Sequence, residues 1–411
     1  MTFFDSRWVP RPAHVTETGT TALPTGFRAA GVAAQIKPSG GLDVGLLVCD
    51  QAATTSAARF TASGVLAAPV LVTRNRSRLA GLRAVAVNSG NANAMTGGRG
   101  MDAAAKMQGA GAMCAGVPED QVAVASTGVI GVHLDTNRII GGLLKASEAL
   151  APDAATFAES IRTTDAFAKH VTVDVQLEAG NVRLSAQCKG AGMIQPNFAT
   201  LLCFVQTDAA IGSATADLLL GVCVKRSFDR ISVDGQLSTN DTVILMASGA
   251  SGVQIEPESK DEGLLGEALD ALLRQLALLV IRDGEGARRT GRVVVTGAHE
   301  NACELTARAV ANSPLVKAAL HGGDPNWGRV AQAVGGALRG AAPLDFGIAI
   351  GGVPVCERGA GVPHDVQAVV EAVGGTEVDY AVSLPGEGAE TEVFFSDLGH
   401  EYVTINADYT T

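Results

Sequence analysis

A mixed α/β fold with more than one domain is what this sequence predicts, and three observations predict it. Short runs rich in Val, Ile and Leu, each closed by glycine or polar residues, alternate with longer stretches whose apolar residues recur at three- and four-residue steps. Near the C-terminus the pattern changes to simple alternation, as in antiparallel strands. The length, 411 residues, is enough for two or three domains at roughly 150 residues each.

Taken in order, the strand-like runs are 83–88, 121–126, 201–206, 292–296 and 346–350, and the helical stretches are 101–116, 137–150, 215–230, 262–282, 302–320 and 364–372. In 262–282, Leu265, Leu269, Leu272, Leu276 and Leu279 fall along one face, a core-facing stripe with a polar back. Segments 392–395 and 402–406 alternate between glycine-containing turns and are expected as antiparallel strands. Composition breaks at DGEGARR (283–289) and again at 340–343.

Composition narrows the function classes. Hydrophobic residues make up 47% and charged residues 18%, mixed along the whole length, which fits a globular chain and not a disordered one. Aromatics are only 4%, so the core must rest on Ala, Val, Leu and Ile. A net charge of −11 without any Lys/Arg-rich block argues against nucleic acid, whose phosphates draw on clustered cations. The longest apolar runs, such as 276–281, fall far short of the roughly 20 residues that cross a bilayer, so no membrane partner is expected. MTFFDSRWVPRP at the N-terminus has neither a signal-peptide nor a transit-peptide layout, and a cytoplasmic location is the expectation. The seven cysteines are scattered, with no C-x-x-C pair and no histidine at metal-ligand spacing, and read as buried thiols. No H-E-x-x-H, G-x-S-x-G or Walker-type loop occurs, and neither a metal nor an organic cofactor is expected.

Residues 189–207, KGAGMIQPNFATLLCFVQT, run a glycine-rich turn closed by Pro196 straight into an apolar strand. Gly190 and Gly192 permit backbone angles closed to other residues, and Pro196 restricts both itself and Gln195. Thr200 stands at the start of the strand. A threonine hydroxyl is a poor nucleophile unless a base lies beside it, and a threonine that begins a chain carries that base as its own α-amine. Such an amine titrates at about 7.7–8.0, close to working pH. Making it requires cleavage between Ala199 and Thr200, giving an α chain, 1–199, and a β chain, 200–411. Ala-Thr also occurs at 53–54, 155–156 and 214–215, so the dipeptide by itself carries nothing.

At this point the chain resembles the ornithine acetyltransferase (glutamate N-acetyltransferase) family, in which K-G-x-G-M-I-x-P-x-M-A-T-M-L surrounds a self-cleaved threonine. The likeness extends in the family's order to GFRAAGVAAQIKPSG (26–40), NSGNANAMTG (88–97), STGVIG (126–131), RISVDGQLSTNDTV (230–243), VIRDGEGA (280–287), ANSPLVKAALHGGDPNWGR (311–329) and EYVTINADYTT (401–411). Two departures from it bear on the substrate. Phe198 stands where the family usually has Met, and Gln236-Leu237 replaces the common Asp-Thr, which leaves substrate preference open.

The resemblance implies a layered αββα catalytic core of the aminopeptidase/ornithine acetyltransferase type over 1–287, and a smaller C-terminal α/β domain over 288–411 whose tail returns to the active site. It implies Thr200 as nucleophile and N-terminal base, with Thr127 and Gly128 as the oxyanion hole; two such donors are worth about 3 kcal/mol each. It also implies substrate contacts from Lys189 to a carboxylate, from Thr163 or Thr164 in the TTD triplet, from Glu285 to an amino group, and from Asn406 and Thr411 in the tail. Asn240 and Asp241 in STNDT either organise the β-chain side of the site or form a structural turn.

The activity so implied is ping-pong transfer of acetyl from N-acetylornithine to glutamate through acetyl-Thr200, within arginine biosynthesis and without a cofactor. Acetyl-CoA is a co-substrate in some members, and the expected assembly is an α2β2 heterotetramer. Three rivals stand beside this reading: a related self-processing aminopeptidase or amidase, a secondary-metabolism paralogue, and a metabolite-binding α/β protein whose glycine-rich segments are only turns.

Overall fold

Leu46 and Leu47 are both fully buried in the strand Val44–Cys49, yet they meet different neighbours, because successive side chains of a strand point to opposite faces. Leu46, with Val44, Val48, Ala84, Ala86, Val122 and Val124, packs beneath the helices Ala68–Arg76, Gly97–Ala115 and Thr136–Glu148. Leu47, with Val85, Val87, Ala123 and Ala125, packs against Leu202, Phe204, Ile244 and Met246 of a second sheet. The other face of that second sheet presents Cys203, Val205, Val243 and Leu245 to the helices Ser213–Arg226 and Lys260–Arg282. Helix, sheet, sheet, helix is therefore the layer order that the alternating apolar residues impose. The computed structural model describes residues 2–195 and 201–408.

The inner four-stranded sheet has the order Phe27–Val32, Val44–Cys49, Ala84–Asn91, Val122–Val129. The six-stranded sheet facing it runs Val15–Glu17, Lys169–Gln176, Asn181–Lys189, Leu202–Thr207, Thr242–Ala247, Thr55–Phe60. Within it Asn181–Lys189 is antiparallel to Leu202–Thr207 with Lys189 opposite Leu202, and Leu202–Thr207 is parallel to Thr242–Ala247. The chain between Lys189 and Leu202 thus leaves and rejoins one ladder, so the glycine-rich segment singled out in the sequence is pinned at both ends.

The leucine stripe of 262–282 becomes the helix Lys260–Arg282, with Leu265, Leu269, Leu272 and Leu276 buried. Its N-cap Ser259 accepts from the Glu262 N–H at 3.1 Å, supplying one of the partners a helix start lacks. The single helix expected over 302–320 is two, Glu300–Ala311 and Pro314–Gly322. Ser313 caps the second and Pro314 occupies its first turn, where a missing N–H costs nothing.

A seven-stranded sheet takes its order as Ile231–Ser232, Ala389–Ser396, Thr290–Gly297, Glu377–Ser383, Gly347–Ile350, Val353–Glu357, Ala360–Gly361, with Val293, Val295, Val382 and Phe395 in a separate apolar cluster. The 392–395 expectation holds, since Ala389–Ser396 pairs antiparallel with Thr290–Gly297. The 402–406 strand does not form, and His400–Asp408 is a helix. Thr404 Oγ1 donates to the His400 carbonyl and Asn406 Nδ2 to the Tyr402 carbonyl, side-chain bonds at the four-residue spacing that only a helix brings together. All seven cysteines are free thiols, buried except for the half-buried Cys114. None of the described helices is long and apolar enough to cross a membrane.

Candidate active site

Ser126, Thr127 and Gly128 are not a turn after a strand but the end of the strand Val122–Val129 itself, in parallel register with Ser89 and Gly90. Ser126 Oγ donates to Asn88 Oδ1 at 2.6 Å. Gly128 has φ of +128°, and a Cβ there would sit 2.4 Å from the Gly90 carbonyl carbon, so only glycine fits so close an approach. Asn240 Nδ2 donates to the Ala92 carbonyl at 2.7 Å and to the Ser126 carbonyl at 2.8 Å. The STNDT segment thereby holds the STG segment of the opposing sheet in place.

Lys189 ends its strand almost wholly buried, and its Nζ donates to Thr127 Oγ1 at 3.0 Å. Burial pulls this ammonium below its ordinary pKa; the Asp165 charge opposes that pull, and nearby Lys169 adds to it. Asp165 is itself fully buried. Burial alone would raise its pKa, but Lys169, Lys189 and the Gly190 N–H hold it well below the usual carboxylate range. Asp165 Oδ2 accepts from the Thr163 N–H at 3.1 Å, which fixes the loop carrying Thr163 and Thr164.

Glu285 follows the C-terminus of Lys260–Arg282, buried at 8% exposure, with its N–H donating to the Ala191 carbonyl at 3.2 Å. Its Oε2 accepts from Asn406 Nδ2, so the C-terminal helix closes on this carboxylate. Gly192 makes room for it: a Cβ there would lie 2.8 Å from Glu285 Oε1.

Leu201 N–H donates to Asp241 Oδ1 at 3.0 Å, and its carbonyl accepts from the Thr242 N–H at 3.1 Å. Burial raises the Asp241 carboxyl well above its usual range, although the Leu201 N–H and neighbouring donors pull it down. N-terminal to Pro196, Asp234 accepts from the Met193 N–H at 2.6 Å and the Ile194 N–H at 2.9 Å. Ala199, Thr200 and Thr411 lie outside the described residues.

A cavity of about 220 Å³ gathers Thr127, Gly128, Thr163, Thr164, Lys189, Glu285 and Asn406. Every described residue expected to touch substrate is therefore at one place, from segments far apart in the chain. Its volume is below the roughly 300–1,000 Å³ of pockets for drug-sized ligands and suits a small metabolite. A roomier depression of about 620 Å³ lies elsewhere and is lined by Arg282 and Glu377, which are already paired with each other. Asn240 and Asp241 stand behind the cavity as supports.

The structure adds Asp234 and Tyr402 to the cavity wall. Tyr402 OH donates to Asp234 Oδ2 at 3.3 Å, and burial together with that carboxylate raises the phenol pKa. An acid in a Val-Asp-Gly turn gives no sequence signal of its own. Tyr402 was hidden by its expected strand, and only the helical spacing to Asn406 reveals that the two share a face. The arrangement offers hydroxyl and backbone donors, one ammonium and two carboxylates within a small cleft, which can hold a zwitterionic ligand and stabilise a developing oxyanion.

The model of the ArgJ family matches residues 28–411. The arginine biosynthesis bifunctional protein ArgJ of Symbiobacterium thermophilum is 41% identical over 398 residues, covering 96% of this chain and 99% of that protein. Its counterpart from Thermus thermophilus is 40% identical over 394 residues, 95% of this chain and 99% of that one. A crystal structure of ornithine acetyltransferase complexed with ornithine from Mycobacterium tuberculosis is 33% identical where matched, covering 46% of this chain and 98% of that chain at a TM-score of 0.40.

Proposed function

Because the chain belongs to the ArgJ family, we propose that it is a glutamate N-acetyltransferase that cuts itself between Ala199 and Thr200 and carries acetyl on the Thr200 hydroxyl. The observation that carries this reading is the meeting of Thr127, Gly128, Lys189 and Glu285 in one cavity.

In the first half-reaction the Thr200 α-amine takes the hydroxyl proton as Oγ attacks the acetyl carbonyl of N-acetylornithine. The oxyanion is met by the Thr127 hydroxyl and the Gly128 N–H. Collapse breaks the amide bond, and the α-amine of ornithine leaves with the proton. In the second, the α-amine of glutamate attacks acetyl-Thr200, surrenders a proton to the Thr200 amine, and departs as N-acetylglutamate while that proton returns to Oγ. Lys189 serves a substrate carboxylate and Glu285 an amino group, with Thr163, Thr164, Asn406 and Thr411 completing the contacts. The scheme uses no metal or organic cofactor, and its working form is an α2β2 assembly.

Intact-mass measurement followed by a two-substrate assay tests this. The expected result is two fragments, 1–199 and 200–411, and acetyl passing from N-acetylornithine to glutamate. Acetate release independent of glutamate favours the hydrolase instead, and an uncut wild type that binds but does not turn over favours a binding protein. The same assay with acetyl-CoA as donor reads the second activity. Replacing Thr200 with Ala should give an uncut, inactive chain, and a processed, active variant overturns the assignment.

A further inference from the structure

The side chains of Lys169 and Asp165 are fully buried and that of Asp283 nearly so: Nζ lies 2.7 Å from Asp165 Oδ1 and 2.5 Å from Asp283 Oδ2. Buried ion pairs are poor stabilisers, because desolvation offsets much of the attraction, and well-packed apolar residues often do as well. The triad therefore calls for a reason other than stability, and its remaining hydrogen bonds supply one. Asp165 Oδ1 also accepts from the Gly190 N–H at 2.7 Å, directly after Lys189, while Oδ2 takes the Thr163 N–H. Asp283 accepts from the Ala166 N–H at 3.1 Å and stands two residues before Glu285.

We propose that Lys169 is a positioning residue for the substrate cavity: by holding Asp165 and Asp283 together it fixes the three pieces of chain that present Thr163 and Thr164, Lys189, and Glu285. It also keeps Asp165 occupied. The charged groups that act most on the Lys189 ammonium are Asp165, Lys169 and Asp241, with Lys37 also within reach. With Lys169 in place, Asp165 has a partner of its own, and Lys189 remains on Thr127 Oγ1 at the cavity. Without it, the remaining ammonium that acts on the Asp165 carboxylate is Lys189, which is drawn away from the cavity and from any carboxylate bound there. This inference rests on the acetyltransferase reading, and it adds a residue that touches no substrate.

The test compares N-acetylornithine with its α-carboxamide as acetyl donors, in the full-length, self-cut protein. The wild type is expected to prefer the free acid by roughly 10- to 100-fold in kcat/KM, and Lys169→Met to lower that preference to about threefold, with the loss carried by KM. Self-cleavage should persist. A merely structural role would lower the amount of folded enzyme without changing the ratio between the two donors. Should Lys169→Met fail to fold, the charge-balanced Lys169→Met/Asp283→Asn protein is read in its place, with the same loss of discrimination expected. Either variant, folded and cut yet preferring the acid as the wild type does, overturns the proposal. A wild type that transfers no acetyl takes this inference and the parent reading down together.

Discussion

The Lys189 ammonium and the Thr127 hydroxyl join the two facing sheets across 3.0 Å, with the lysine as donor. That direction matters for the hydroxyl. A threonine Oγ has one hydrogen to give and two lone pairs to receive with. Because Lys189 occupies a lone pair, the Thr127 hydrogen is left for another acceptor, which in the proposed reaction is the acetyl oxyanion.

Thr127→Val removes that hydrogen while keeping the β-branched shape. The kcat for acetyl transfer is expected to fall by about 10²- to 10³-fold, and Thr127→Ser to recover most of it. Steady-state rates on folded protein decide the matter, and a fully active Val variant removes Thr127 from the oxyanion hole.

Gly192→Ala places a methyl where the Glu285 carboxylate now sits, 2.8 Å away. Glu285 must move, and the KM for the amino-acid substrates is expected to rise by roughly tenfold or more, the worth of one charged hydrogen bond. Thermal unfolding should change little. An unaltered KM means that Glu285 does not hold substrate.

Asn406→Ala removes the amide that clasps Glu285, from a helix with no buried residues. Stability should stay within about 0.5 kcal/mol, as for surface substitutions, while KM rises. A drop in melting temperature with unchanged KM contradicts this.

Asp241 supplies the acceptor for the Leu201 N–H. Asp241→Asn keeps an oxygen there, whereas Asp241→Ala leaves a buried donor without one, at about 1–3 kcal/mol. The Ala protein should therefore melt below the Asn protein; equal melting temperatures dismiss the contact as incidental.

Lys317 gives the clearest pH signature. Its Nζ donates to the Ser396 carbonyl at 2.6 Å, and burial lowers its pKa from 10.5 to about 7, against the opposing pull of Asp234 and Asp397. Between about pH 7 and 10.5 the unfolded chain holds a proton that the folded one does not, so stability rises with pH across that window. The limiting slope for one such proton is about 1.4 kcal/mol per pH unit. Below the window both states are protonated and the full burial cost of the charge is present. Lys317→Met should lose this rise, so melting curves at pH 7 and pH 9 must separate for the wild type and converge for the variant.

The mixture of strands and helices was legible because their periods are local: the leucines of Lys260–Arg282 and the Val-rich strands each announce the face they bury, whereas the layer order came only from the family resemblance. Asn312 and Ser313 broke one expected helix because a cap and a proline outweighed continuous apolar spacing. The segment 402–406 misled because five residues of alternation fit a strand and one helix face almost equally well. At the cavity, Lys189 and Glu285 were found through long motifs that resemble a family, whereas Lys169 was not. A charged residue at the head of a strand looks solvent-exposed in sequence, and only the fold shows two carboxylates arriving from residues 4 and 114 positions away.

Strand Leu202–Thr207 lies hydrogen-bonded between Asn181–Lys189 and Thr242–Ala247. Once the chain is cut as proposed, one ladder is shared by two molecules held together by its hydrogen bonds. Their denatured forms, however, are separate bodies, so recovery becomes a bimolecular encounter whose yield follows concentration. The uncut Thr200→Ala protein would regain its shape alone. If the proposed scission occurs, topology then imposes a chronology in which shape is acquired first and the cut comes second, with no easy road back.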